Sequence, residues 1–147
     1  MTQLIAILED DERRTLAMRL ILKQKQPECL QAFFDNAPEM IAWLKNNLSS
    51  VTLISLDHDL GPNRDKKGEV FDPGIGREVV DFLVSQRPIC PVIIHTTNPQ
   101  GGEGMKWALE EGGWQHETVI PFQDIEWIEG LWIRKVLELG KGEGEGV

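Results

Sequence analysis

A doubly wound α/β domain with a five-stranded parallel sheet is the fold class this sequence predicts, and three patterns predict it. Short continuous apolar runs, such as LIAIL at Leu4–Leu8, have the character of strands buried on both faces. They alternate with segments whose apolar residues recur at helical spacing. Polar triplets stand where three of the runs end: Glu9-Asp10-Asp11, Asp57-His58-Asp59 and His95-Thr96-Thr97.

The first run is a central strand ended by acid. Over residues 12–24, Leu16, Ala17, Leu20 and Ile21 mark a helix closed by Pro27. Residues 29–34 give a second strand, and Ala37, Met40, Ile41, Leu44 and Leu48 trace a helix with Pro38 in its first turn, where its missing N–H is harmless. Residues 51–56 are the third strand. Residues 61–76 hold glycine, proline and charge without periodicity, a long loop and a candidate lid, with Arg64, Asp65, Lys66 and Lys67 at its tip. Val79, Val80 and Leu83 predict a helix that ends before Pro88, and residues 91–94 the fourth strand. A loop is expected over residues 98–104. Met105, Ala108 and Leu109 then mark a short helix stopped by Gly112-Gly113, and residues 118–120 the fifth strand. Ile125, Ile128, Trp132, Val136 and Leu139 describe a last amphipathic helix. Residues 141–147 are glycine, charge and one valine, too little apolar surface to offset ordering, and are expected to be a disordered tail behind one domain over residues 1–140.

With 24 acidic against 15 basic residues the net charge is -9, which opposes broad attraction to nucleic acid or anionic membrane. No run approaches the roughly 20 apolar residues that span a bilayer, and the amino terminus lacks a basic, then apolar, export segment. A cytoplasmic protein with no membrane contact is expected. Cys29 and Cys90 lack CxxC spacing and are read as reduced core residues. No GxxxxGK[ST] or HExxH occurs, and Gly74-Ile75-Gly76 lacks the preceding strand of a dinucleotide loop.

In an open parallel sheet the carboxyl ends of the strands share one edge, where ligands bind. Asp10, Asp11 and Asp57 would converge there. Like charges so placed raise one another's pKa unless a cation neutralises them, which favours Mg²⁺ or Mn²⁺ on oxygen ligands. Helix capping is the competing role for an aspartate after a strand.

ILEDDERR before a helix, LISLDHDLG, PVIIHTT and VIPF, in that order, resemble the receiver domain of two-component response regulators over about residues 3–140. The resemblance implies Asp10 and Asp11 on Mg²⁺, Asp57 as phosphoryl acceptor, a backbone carbonyl of Asp59 on the metal, and Thr96 on the phosphoryl group. Two positions depart from it. Ile120 stands where receivers carry a lysine before the strand-five proline, and the branched Thr97 stands where a small residue is usual. His58 and His95 occupy places that are ordinarily apolar, where imidazole could move a proton near neutral pH. Strand alternation could instead turn His95 under a helix as a hydrogen-bonded core group.

With the long strand-three loop and HTTN after strand four, this combination is similar to the receiver-like family that processes cyclic phosphates. That implies hydrolysis of a phosphoester, such as a cyclic phosphate on a small molecule or a nucleic-acid end: metal on Asp10, Asp11, Asp57 and Asp59, a proton moved by His95 or His58, and Thr96, Thr97 and Asn98 as phosphate contacts. The other implied readings are a stand-alone regulator phosphorylated on Asp57 and a non-catalytic scaffold. His95-Thr96-Thr97 and His116-Glu117-Thr118 also fit a paired HxT pattern, but a parallel sheet puts them at opposite ends of strands. Trp107, Trp114, Trp127 and Trp132 suggest either core packing or a protein-partner or homodimer face on the last helices.

Overall fold

The computed structural model describes residues 2–61, 63, 64 and 67–140. Strands β1 (Leu4–Leu8), β2 (Leu30–Phe34), β3 (Leu53–Leu56), β6 (Val92–His95) and β7 (His116–Val119) form one parallel sheet in the order β2-β1-β3-β6-β7. The intervening β4 (Asn63–Arg64) and β5 (Val70–Phe71) pair as a small antiparallel hairpin inside the segment expected to be structureless. The tail 141–147 and the loop-tip residues Asp65 and Lys66 lie outside the described residues.

Side chains of a strand alternate between faces, and the core divides accordingly. Ala6, Leu8, Ile54, Leu56, Val92 and Ile94 face α2 (Ala37–Asn47), α3 (Gly76–Val84) and α4 (Pro99–Glu111). Ile5, Ile7, Leu53 and Ile93 face α1 (Glu12–Lys25) and α5 (Ile133–Gly140). Helices therefore cover both faces, as the repeated strand-to-helix order requires.

Two helical segments differ from expectation. The glycines of residues 98–104 suggested a loop, but α4 begins at Pro99: the Asn98 side-chain oxygen accepts from the Gly101 N–H at 2.9 Å, and proline takes the first turn. The last helix is not uniform, since a π-helical turn, Ile128–Trp132, precedes α5. Residues five apart are set far around an α-helix but nearly in line on this wider turn, so Trp127 and Trp132 both enter the core. Trp114 is buried as well. Of the four tryptophans considered for a partner face only Trp107 is exposed.

Cys29 and Cys90 are free thiols, and burial pushes Cys90 up to about 12. His116 opens β7 opposite Val92 while His95 pairs with Val119, so the two histidines of the HxT pattern sit about 10 Å apart along the strands. No helix of the described residues is long and apolar enough to cross a membrane.

Candidate functional site: an acidic crevice at the strand ends

The chain leaves β1 for the outer strand β2 and returns to β3 on the other side of β1, so the connections diverge above β1 and β3. Such a switch point opens a crevice at the carboxyl edge. Glu9, Asp10 and Asp57 meet there, each offering one oxygen within 4.8 Å of the others. Asp57 follows β3, its N–H donating to the Leu8 carbonyl at 3.1 Å, and its side chain accepts from the His58 N–H at 2.7 Å.

Glu9 enters this group and Asp11 does not. The Glu9 N–H still donates to the Phe34 carbonyl at 2.9 Å, so the chain remains extended past β1 and buries the Glu9 side chain at the crevice floor. Asp11 has already become the N-cap of α1, accepting from the Arg14 N–H at 3.0 Å. The capping role named as the alternative thus falls on Asp11, while Asp10 accepts from the Gly61 N–H across the crevice.

The electrostatics follow from this crowding. Burial, aided by the Glu9 charge, pushes Asp57 up to about 6 against the relief of His95, the His58 N–H and Arg14. Burial and the charges of Glu9 and Asp11 also raise Asp10. For Glu9 burial acts upward too, but His95, the Asp11 N–H and Arg14 outweigh it and hold the carboxyl below its ordinary value.

His95 has no exposed surface. Its Nδ1 lies 2.6 Å from Ser55 Oγ, which also accepts from Trp132 Nε1–H at 2.9 Å. On the other side its Nε2 lies 3.2 Å from Glu9 Oε1. A carboxylate only accepts, so Nε2 carries a proton, while the Ser55 hydroxyl can pair with Nδ1 whether or not that nitrogen is protonated. The contact with Glu9 is close but poorly aligned: both atoms are buried without a true hydrogen bond. His95 is therefore a hydrogen-bonded group beneath the crevice that reaches it through Glu9.

His58 lies at the rim. Its Nδ1 is 2.7 Å from Asp59 Oδ1, which requires an Nδ1–H and leaves Nε2 with its lone pair in the neutral ring. Asn98 Nδ2 donates to both Asp59 oxygens at 3.2 Å, its orientation fixed because Oδ1 is engaged by Gly101. The 3.4 Å approach of that same amide nitrogen to His58 Nδ1 then joins two donors and is no bond. The His58 hydrogen bond, then Asn98, hold the Asp59 carboxyl below its ordinary value despite slight burial. The ring rests on α4, where a Cβ at Gly101 would come within 2.6 Å of it. Thr96 is buried and its Oγ1 accepts from the Asn98 N–H at 3.1 Å, whereas Thr97 is exposed. Ile120 is also exposed and brings no charge to the site.

A cavity of about 400 Å³ opens from Glu9 and Asp10 toward Arg19, Phe33, Asp35 and Glu39. A second hollow of about 320 Å³, between α1 and Ile125 and Glu129, contains none of the site residues.

The model of the family described as cyclic-phosphate processing receiver domain matches residues 5–111, more than two thirds of the chain. The chain belongs to that family. No curated protein matches this receiver domain. Among solved structures it is similar to the phosphorylated cyanobacterial phytochrome response regulator RcpA, with TM-score 0.65, 18% identity, and 94% of this chain and 92% of that one covered. The Mn²⁺-bound response regulator Rcp1 gives TM-score 0.64 and 17% identity, covering 93% and 94%. CheY in the CheX–CheY–BeF3–Mg²⁺ complex from Borrelia burgdorferi gives 0.63 and 12%, covering 95% and 87%. These likenesses carry the fold.

Within the receiver fold, sequence reasoning overlooked Glu9, Ser55 and Arg14. Glu9 was readable from its place directly after the first strand; Ser55, the one polar residue of β3, carried a weaker signal. Asn98→Ala is expected to cost about 1 kcal/mol by uncapping α4 and to loosen Asp59, the partner of His58. Urea denaturation, with the His58 ring resonances followed by NMR, measures both effects.

Proposed function

We propose that this receiver domain binds Mg²⁺ or Mn²⁺ through Glu9, Asp10 and Asp57 and hydrolyses a phosphoester such as a cyclic phosphate. The observation that carries the reading is the grouping of these three carboxylates, one oxygen of each within 4.8 Å of the others, with a Glu9 oxygen buried and without a hydrogen bond. Hard oxygen donors in this number suit either ion. A bound cation would neutralise the carboxylates and polarise a phosphate oxygen.

The chain's own residues then divide the work. Asp57, on the rigid end of β3, is the ligand whose carboxylate borders the reacting phosphate. His58 is the proton carrier: Asp59 holds its Nδ1–H, which leaves Nε2 to give or take a proton. His95 is a positioning residue, since it has no exposed atom and orients Glu9 from below. Asn98 and Thr96 shape the turn that holds His58, and Thr97, exposed at that turn, is left as a phosphate contact. The candidate lid is the hairpin-bearing loop between β3 and α3.

Turnover of 2',3'-cyclic nucleotides with Mg²⁺ tests the reading. Activity should fall below detection in Glu9→Gln and by roughly 10²-fold in His58→Gln. Activity that survives Glu9→Gln, or does not respond to chelation, would discard it. The chain's structural likeness to the phosphorylated RcpA favours a second reading, in which Asp57 accepts a phosphoryl group and the domain signals to a protein partner. A stoichiometric acid-labile adduct on Asp57 after treatment with acetyl phosphate would establish that reading instead.

A further inference from the structure

The crevice concentrates negative charge, yet a phosphate ester needs a positive group as well as a metal. β7 ends on Val119, followed by the exposed Ile120, and neither offers one. Arg14, one turn into α1, does. Its Nη1 lies 3.6 Å from Glu9 Oε1, and its charge is felt by Asp57 as well as by Glu9. The guanidinium carbon sits 5.4 Å from the centre of the Trp127 ring, within the range of a cation–π contact. Trp127 is itself immobile, being fully buried with its Nε1–H donated to the Asp124 carbonyl at 2.8 Å.

The side chain of Arg14 is three-quarters covered, and among the described residues its guanidinium makes no hydrogen bond, only the loose ion contact with Glu9. A planar group with five N–H donors, braced on one face and unused at its edge, is suited to a tetrahedral oxoanion.

We propose that Arg14 is the oxoanion-binding residue of this crevice: its guanidinium, held on the Trp127 ring, donates to the phosphoryl oxygens of a phosphate ester lying against Asp57. The inference rests on the phosphoester reading, and it adds that the cation comes from α1 and not from the end of β7. It also makes Arg14 a competitor of the metal for Glu9, so the two ligands should respond to its loss in opposite directions.

The test is binding, measured on the full chain. Mg²⁺ alone is titrated by calorimetry, and beryllofluoride, a phosphoryl mimic, is titrated by fluorine NMR at saturating Mg²⁺. Arg14→Gln should bind Mg²⁺ severalfold more tightly and beryllofluoride about tenfold or more weakly. Arg14→Lys keeps the charge but not the fork, so Mg²⁺ affinity should match wild type while beryllofluoride affinity falls severalfold; it carries the test should Arg14→Gln fail to fold. Weakening of both ligands together would mark a merely structural role and overturn the proposal, as would unchanged beryllofluoride binding in either variant. Wild-type protein that takes Mg²⁺ but no beryllofluoride would instead remove the phosphoester reading and this inference with it.

Discussion

Asp57→Asn should make the metal-free protein more stable and abolish its stabilisation by metal. Asp57 titrates near 6 in the folded chain against an ordinary 3.8, so the native state holds its proton more tightly than the unfolded state does. Stability is then full below about pH 4, falls as pH rises toward 6, and stays reduced above it. Two pKa units correspond to about 3 kcal/mol, an upper bound on what the substitution returns at neutral pH. Asparagine retains an acceptor for the His58 N–H and adds no bulk. Urea denaturation in a chelator at pH 7.5 and pH 4 should separate the variants at the higher pH and bring them together at the lower. In millimolar Mg²⁺ the wild type should gain stability while Asp57→Asn gains little, because a main ligand is missing. Coincident curves at pH 7.5 in the chelator would show that the carboxylates are not crowded.

Gly76→Ala is expected to be the most damaging single methyl in the molecule. A Cβ built at Gly76 falls 1.9 Å from the Asp57 carbonyl oxygen, and the same residue donates its N–H to the His58 carbonyl at 2.8 Å. The obstacle is backbone on both sides, so relief requires α3 to retreat from the end of β3. A cost of about 3 kcal/mol or more follows from forced overpacking. Because α3 bears on the strand end that carries Asp57, metal affinity should fall along with the melting temperature. The neighbouring Gly74→Ala, strained by its φ of 72° but facing flexible Glu78 oxygens, should cost less. Thermal melts with and without Mg²⁺ would compare the two; equal losses would refute the backbone clash.

The apolar runs and helical stripes were sufficient to read a five-stranded parallel sheet covered on both faces, because buried parallel strands and covering helices leave strong periodic traces. What escaped was decided at strand ends, where one residue of phase matters. Reading Asp10-Asp11 as the metal pair assumed that the chain turns immediately after Leu8. One further sheet hydrogen bond, from the Glu9 N–H, brings Glu9 beside Asp10 and Asp57 and leaves Asp11 as a helix cap. For His95 the same phase selects one of the two places already expected for it: the alternation that sends Ile94 toward α4 sends His95 toward Trp127, out of reach of solvent. The glycines before Met105 looked like a loop because composition does not register that His58 and Thr96 press on α4 at Gly101 and Gly102. Arg14 left little trace, since the ring that braces it, Trp127, is distant along the chain and its approach to Glu9 depends on the turn between β1 and α1.

The wide turn at Ile128–Trp132 acts as a one-residue insertion in an otherwise regular helix. Everything downstream is rotated by about 100° relative to an uninterrupted α-helix, and it is in that rotated frame that Ile133 and Val136 meet the sheet. A carboxy-terminal helix that lacks the insertion, being one residue shorter through this turn, would therefore present the same stripe to the core, whereas the same number of residues wound as a plain α-helix would not. Removing a single residue such as Gly130 should draw the turn in to α-helical pitch while Trp127 and Trp132, then four apart, stay on one face, so that the Trp132 bond to the serine beneath His95 is kept.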